Sequence, residues 1–263
     1  MRIASPGHAA FAAVMIALGT VGFVTRDFAG VWGGVPAAWP MREALAYLCA
    51  FVALACGLGL LWRRTAAFAA RVLLVYLALW LLVFKGQFII RAPLQEVSYQ
   101  TCGETAVIVA GAWILYALFA ADWDRRWVGF ATGDSGGRVA RVLYGLALIA
   151  FGFSHFVYVE MTAPLVPGYL PWPAAWAYFT GGTYLAAGAA VLINVFARLA
   201  AALSALQMGL FTLLVWGPLV ASGRIGAFQW GEFVVTCVLT ASAWVVAESY
   251  RAPWFAARAS AVA

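Results

Sequence analysis

Residues 66–90 read AAFAARVLLVYLALWLLVFKGQFII, and this stretch carries only two charged side chains, Arg71 and Lys85. A helix that crosses a bilayer needs about 20 mostly apolar residues. The apolar run is continuous, whereas the strands of a membrane barrel alternate between apolar and polar residues. Because a backbone exposed to lipid must satisfy its own hydrogen bonds, the stretch predicts a transmembrane helix.

The rest of the chain repeats this pattern. Of its 263 residues, 65% are hydrophobic and 10% are charged, and the mean hydropathy is +0.92. A soluble domain has about 25% charged residues, so the composition excludes a soluble protein and predicts an all-α membrane protein in a lipid bilayer. Eight windows are long and apolar enough to span that bilayer, namely 8–24, 43–62, 66–90, 104–121, 139–158, 174–193, 197–220 and 229–248.

The basic residues indicate topology rather than a ligand. The formal net charge is +6, but Lys and Arg lie singly or in pairs between apolar runs, so no nucleic-acid partner is predicted. With a cytoplasmic N-terminus, eleven of the sixteen basic residues fall on the cytoplasmic side. The positive-inside rule therefore predicts that both termini are cytoplasmic. The four cysteines form no Cys-x-x-Cys pair, so neither a disulfide framework nor a metal site is predicted.

The sequence also contains an internal duplication. A shift of 131 residues aligns 35–86 with 166–217 without a gap, and about 15 of 52 positions are identical. A shift of 128 residues brings the Gly-Glu step at Glu104 onto the one at Glu232. A repeat of this length indicates two copies of one structural unit.

The duplication predicts the domain organisation. We expect a first four-helix repeat at 1–121, a cytoplasmic linker at 122–138 that is charged and rich in Gly, and a second four-helix repeat at 139–263. Each unit has an even number of helices, so the two copies share one orientation. They are parallel repeats, unlike the inverted repeats of many transporters.

The second repeat carries a family resemblance. A Gly-x-x-His-Phe motif precedes a Val-Pro-x-x-x-Pro loop and a Gly-rich helix, and the residues are Gly152, His155, Phe156, Val166, Pro167, Pro171, Gly181 and Gly188. This pattern resembles the DoxX-like group of bacterial membrane proteins, and the first repeat resembles it more weakly, with Thr25 at the histidine position. The resemblance implies a four-helix unit in a bacterial inner membrane. It says less about the reaction, because similar proteins include a subunit of a thiosulfate:quinone oxidoreductase and many without an assigned activity.

Three ionisable residues are the main candidates for a pocket that handles protons. His155 is predicted near the outer end of the fifth helix. An imidazole at that place suits proton transfer or a hydrogen bond to a ligand. The alternative is that His155 only bonds a nearby backbone carbonyl. Glu232 lies inside an apolar run, where carboxylates are costly and often functional. Its repeat partner is Glu104, and an acid near a helix N-terminus is the alternative explanation for both.

Three further residues are secondary candidates. Lys85 and Arg91 are predicted at the outer end of the third helix, where Lys85 either pairs with Glu104 or extends its ammonium to the membrane interface. Trp230 belongs to the predicted outer aromatic belt. All these residues map to the outer leaflet, which predicts a shallow pocket open to the periplasm or to lipid.

These features support three functional hypotheses. The first is an accessory or quinone-linked redox component, with quinone as its cofactor and a membrane or periplasmic protein as its redox partner. Two histidines cannot provide the usual haem ligation, and flavin and nicotinamide fingerprints are missing. One alternative is a non-enzymatic membrane scaffold or assembly factor. The other is a small-solute transporter, which is disfavoured because the predicted centre of the membrane has almost no charged residues.

Overall fold

A computed structural model describes residues 3–223 and 226–251, and within them the chain is helical and has no β-strand. Three of the basic residues counted for topology, Arg2, Arg224 and Arg258, lie outside these residues. Eight long helices follow one another, labelled α1 to α8, and they span Pro6–Thr25, Arg42–Leu60, Ala66–Arg91, Glu96–Phe119, Gly133–Val157, Pro173–Leu192, Ala197–Ala221 and Ala227–Glu248.

Seven of these helices are long and apolar enough to cross a membrane, and the exception is α6. The 20 residues of α6 include Pro, Thr, Gly, Tyr and Trp, which lower its mean hydropathy. The described part of the chain therefore supports a multi-pass membrane protein with at least seven candidate spans.

Two helices begin well before the predicted windows. The window for the fourth helix opened at Glu104, but α4 begins at Glu96, so Glu104 lies two turns inside it. Likewise α5 begins at Gly133, inside the predicted linker, and a short helix occupies Asp122–Trp127. In both cases polar residues continue an apolar helix by one or two turns, because hydropathy alone does not detect a helical end that faces water.

The helices pack into a ring in chain order. Each contacts the next, α8 returns to contact α1, and α4 also contacts α8 across the ring. Glycine permits that central contact, since a Cβ added at Gly111 of α4 would lie 2.9 Å from the Cα of Ser242 in α8. Consequently α4 is buried along most of its length, and α4 and α8 each border both halves of the molecule.

Two helices contain a π-helical turn near one end. The turns occupy Leu81–Lys85 in α3 and Thr212–Trp216 in α7. Such a turn adds a residue to the helix, changes which side chains face the neighbours, and is often found at functional sites. Both turns lie toward the end of the bundle that contains Thr25 and Arg91, which we call the far end. The opposite end, where α1 begins and α8 ends, is called the terminal end.

Candidate functional site

Lys85 is the last residue of the π-helical turn in α3 and is only 5% exposed. Its backbone carbonyl accepts a hydrogen bond from the Cys102 thiol of α4 at 3.1 Å. Among the residues that the structure describes, no hydrogen bond or ion pair within 4.0 Å reaches its ammonium group. A cation that is buried without a bonded partner is costly unless other charges lie nearby.

One carboxylate supplies that nearby charge. Glu104 of α4 interacts electrostatically with Lys85 and also with Glu232 of α8. The Gly-Glu steps of the two sequence repeats lie on α4 and α8, and these two helices contact each other. We call Lys85, Glu104 and Glu232 the ionic cluster. The sequence analysis gave a Lys85–Glu104 pair as one of two explanations for Lys85, and it grouped Glu104 and Glu232 with His155 as candidates for a pocket.

The loop between α1 and α2 contains a short 3₁₀ turn at Gly30–Trp32. A Cβ on Gly30 would come within 2.8 Å of the carbonyl oxygen of Gly231, so the loop lies directly on the backbone of α8. A Cβ on Gly33 would lie 3.5 Å from Lys85 Nζ. The loop therefore reaches both sides of the cluster, and its glycines allow the close approach.

Two buried indole rings, one in this loop and one in α3, contact each other. Trp32 is 1% exposed and Trp80 is 3% exposed, and their ring centroids are 5.2 Å apart. Neither indole N–H has a hydrogen-bond partner within the described residues. A buried Trp N–H usually finds an acceptor, so these donors are unusual, and within the described residues the N–H of Trp216 in α7 is unpaired in the same way.

His155 does not join this cluster. Its Nδ1–H donates to the carbonyl oxygen of Phe151, one turn earlier in α5, at 2.7 Å. Its ring packs on Tyr184 of α6 with centroids 5.5 Å apart, and Gly181 lies against its Cβ. No hydrogen bond, ion pair or ring contact connects it to the two glutamates in the part of the chain that the structure covers. The geometry thus agrees with the alternative in which the histidine bonds a backbone carbonyl.

The remaining secondary candidates lie on the surface of the far end. Arg91 is exposed at the C-terminus of α3. Trp230 is 48% exposed and contacts Phe233 with ring centroids 6.0 Å apart. Within residues 3–223 and 226–251, no hydrogen bond, ion pair or ring contact joins either residue to the ionic cluster, and the sequence places both at a membrane interface.

Metal ligation has no evident place in this arrangement. Over residues 3–223 and 226–251, no group of three His, Cys, Asp or Glu side chains could hold a metal ion. The four cysteines are free thiols, and Cys49 bonds the hydroxyl of Tyr76 at 3.1 Å rather than another sulfur.

The sequence analysis missed a second group of buried charges, which lies at the terminal end. Asp124 is fully buried, and Arg71 binds both of its oxygens at 2.7 Å. The Tyr116 hydroxyl and the Ala121 N–H also donate to it, each at 3.0 Å. Burial by itself would raise the pKa of Asp124, but the hydrogen bonds from Arg71, Tyr116 and Ala121 hold that pKa below its ordinary value.

The first and last helices are joined at the same end. Glu248 is 1% exposed and accepts a hydrogen bond from the backbone N–H of Gly7 at 3.1 Å. His8 is fully buried, accepts from the N–H of Ala4 through Nδ1, and donates from Nε2 to the carbonyl of Leu60. These bonds satisfy backbone groups at helix ends, which indicates a structural role.

A shallow groove lies nearby, between Phe196, Arg198 and Tyr250, far along the bundle from the ionic cluster.

Comparison with family models, with curated proteins and with solved structures finds no match to this chain. The resemblance to the DoxX-like group thus remains an expectation from the sequence. Arguments about function depend on the site itself, because a fold alone does not imply a reaction.

Proposed function

We propose that the protein crosses a bacterial inner membrane eight times, as two parallel four-helix repeats with both termini in the cytoplasm. The recurrence of helix bounds supports this reading. Adding 131 to the starts of α2 and α3, at Arg42 and Ala66, gives the starts of α6 and α7, at Pro173 and Ala197. The same shift carries the π-helical turn of α3 onto that of α7. In this arrangement α6 is the eighth span, and its lower hydropathy is tolerated because several of its residues pack on α5.

In this topology the far end is periplasmic, and we propose that the ionic cluster there binds a quinone. The protein would act as a DoxX-like accessory or quinone-linked redox component that works with a membrane or periplasmic partner. The observation that carries the proposal is the Lys85 side chain, which is only 5% exposed, lies beside Gly33 of the loop between α1 and α2, and interacts electrostatically with Glu104. A quinone supplies the redox chemistry when it is bound.

Each member of the cluster has a distinct task. The Lys85 ammonium donates a hydrogen bond to a ligand oxygen, which is stronger than a bond between neutral groups. Glu104 and Glu232 accept or release protons at that oxygen, as carboxylates within hydrogen-bond reach can. The surrounding apolar helices exclude water and hold the hydrophobic body of the ligand.

Binding of a short-tailed benzoquinone to the purified protein in lipid nanodiscs tests the proposal. We expect saturable quenching of tryptophan fluorescence by the wild-type protein, and loss of that quenching in the triple variant Lys85→Met, Glu104→Gln, Glu232→Gln. The control is the double variant Asp27→Asn, Arg42→Gln, which removes an exposed ion pair at the same end. The proposal is wrong if the wild type shows no saturable binding, or if the triple variant binds as well as the control.

A further inference from the structure

The shallow groove at the terminal end opens where α6 ends and α7 begins. Its walls are the turn between these helices, the first turns of α7 and the segment that follows α8, and the lining side chains include Asn194, Phe196, Arg198, Leu199, Ala202 and Tyr250. The groove has a volume of about 510 Å³. Small-molecule sites have volumes of about 300–1,000 Å³, so the groove has room for the headgroup of a lipid.

The equivalent place in the first repeat is filled by an ion pair. The shift of 131 residues aligns Ala202 with Arg71. The Arg71 guanidinium pairs with Asp124 at 2.7 Å and lies 5.1 Å from the ring centroid of Trp123. The methyl group of Ala202 is too short to make either contact. The second repeat therefore has an open groove where the first repeat has a buried salt bridge.

The groove contains a cation but no acid of the described chain. Arg198 lies one helical turn before Ala202, so both side chains are on one face of α7. Over residues 3–223 and 226–251, no hydrogen bond or ion pair reaches the Arg198 guanidinium, and no Asp or Glu lines the groove. The sequence 249–263, which follows α8, contains two arginines and no Asp or Glu. It cannot supply the carboxylate that Asp124 provides in the first repeat.

The charge of the whole terminal end favours an anionic partner. Among the described residues, this end has nine arginines and four acids, whereas the far end has four basic residues and six acids. Anionic lipids at a membrane surface attract each such arginine, and one arginine strengthens binding about fivefold. A cationic groove at this end is thus complementary to the headgroup of an anionic lipid.

Next to the groove, α7 has an exposed apolar face. Leu199, Leu203, Leu206 and Leu210 recur at helical spacing, and all four are exposed. The helix rises about 16 Å from Leu199 to Leu210. That distance is close to half of the hydrocarbon core of a bilayer, which is about 30 Å thick. A phospholipid with its phosphate at Arg198 can therefore lay an acyl chain along these leucines.

We infer that the groove binds one phospholipid with an anionic headgroup, taken from the leaflet at the terminal end. Arg198 donates hydrogen bonds to the phosphate, and the small side chain of Ala202 leaves space for the headgroup. The lipid takes the place that the salt bridge of Arg71 occupies in the first repeat. The inference goes beyond the proposed function and does not depend on quinone binding, which concerns the opposite end of the bundle.

Native mass spectrometry of the detergent-solubilised protein measures the binding of single lipids. We expect the wild type to bind one phosphatidylglycerol at least about fivefold more tightly than phosphatidylcholine with the same acyl chains, because only phosphatidylglycerol has a net negative charge. Arg198→Gln should weaken the binding of phosphatidylglycerol about fivefold and leave that of phosphatidylcholine unchanged. Ala202→Phe fills the groove without changing the charge, and it should remove the bound lipid of either kind.

Two control variants match these changes in charge and in bulk. Arg126→Gln removes an exposed arginine of the same end, and Ala175→Phe adds a ring at an exposed position of α6 near the far end. Neither residue lines the groove, so both variants should bind phosphatidylglycerol like the wild type. Thermal unfolding of each variant identifies any loss of binding that is caused by misfolding.

Three results would overturn the inference. Equal binding of the two lipids by the wild type would show that charge does not select the ligand. An Arg126→Gln variant that binds as weakly as Arg198→Gln would assign the lipid to the charge of the whole end instead of the groove. Glycerol phosphate that displaces phosphatidylglycerol at equal concentration would identify a site for a free phosphate rather than a lipid. None of these results affects the quinone assay.

Discussion

Replacing Asp124 by Asn should destabilise the protein far more than removing an exposed acid. Asp124 is fully buried, and it accepts hydrogen bonds from Arg71, Tyr116 and the N–H of Ala121. Removing one partner of a buried ion pair costs about 3–5 kcal/mol. The Arg71 side chain is 34% exposed, so water partly compensates its lost partner. We therefore expect a loss of about 2–3 kcal/mol for Asp124→Asn.

The matched control is Asp27→Asn. Asp27 pairs with Arg42 at 2.8 Å, but the two side chains are 54% and 37% exposed. An exposed pair contributes about 0–1 kcal/mol. The measurement is the free energy of unfolding in mixed detergent micelles, from an SDS titration followed by circular dichroism. The reasoning is refuted if Asp124→Asn costs no more than Asp27→Asn.

The same carboxylate predicts a pH dependence. Because its hydrogen bonds lower the pKa of Asp124 in the folded state, its contribution is complete above the unfolded pKa of about 4. That contribution is lost as the pH falls through the lower, folded pKa. The difference in unfolding free energy between the wild type and Asp124→Asn should therefore shrink below about pH 4. A difference that stays constant from pH 7 to pH 3 would contradict the ionic role.

Three further predictions concern packing, helix ends and topology. Gly111→Leu should lower the unfolding free energy by at least about 1–3 kcal/mol, because the backbone of α8 lies 2.9 Å from the added Cβ. The control is Gly231→Ala, whose added Cβ meets no atom within 4 Å and which should cost less than about 0.5 kcal/mol. Glu248→Gln should lose about 1–2 kcal/mol at the N-terminus of α1, measured in the same titration. A cysteine at Leu94 should react with an impermeant maleimide in intact cells, whereas one at Arg64 should react only after lysis.

The central helix pair shows where sequence patterns stop being informative. The repeat placed Glu104 and Glu232 at equivalent positions, and the structure brings α4 and α8 into contact. Two equivalent helices could equally have lain on opposite sides of the ring. Contact between them depends on small residues such as Gly111, which allow the backbones to approach closely. That choice is made by packing among all the helices and is not visible in any one of them.

The buried acids of the terminal end illustrate the same limit. Asp124 stands between Trp123 and Arg125 in a charged, apparently solvated segment, and nothing in the local pattern distinguishes it from Asp122. Its burial follows from Arg71, which lies 53 residues earlier on a different helix. A local window contains no information about a partner at that distance, so the pair could be found only in the folded chain.

The amino-acid sequence by itself determined the solvent and the secondary structure of this protein. Long apolar runs with few charges dictate helices in a bilayer, because no other element satisfies its backbone there. The same runs placed Lys85 near the end of its helix, but they put Glu104 at the start of a helix in which it lies two turns inside. Only the tertiary structure decided which of these groups meet, since that depends on how each helix is rotated about its axis and on which helix lies beside it. For this reason Lys85 lies beside the loop between α1 and α2 and interacts with Glu104, while the His155 imidazole bonds a carbonyl of its own helix.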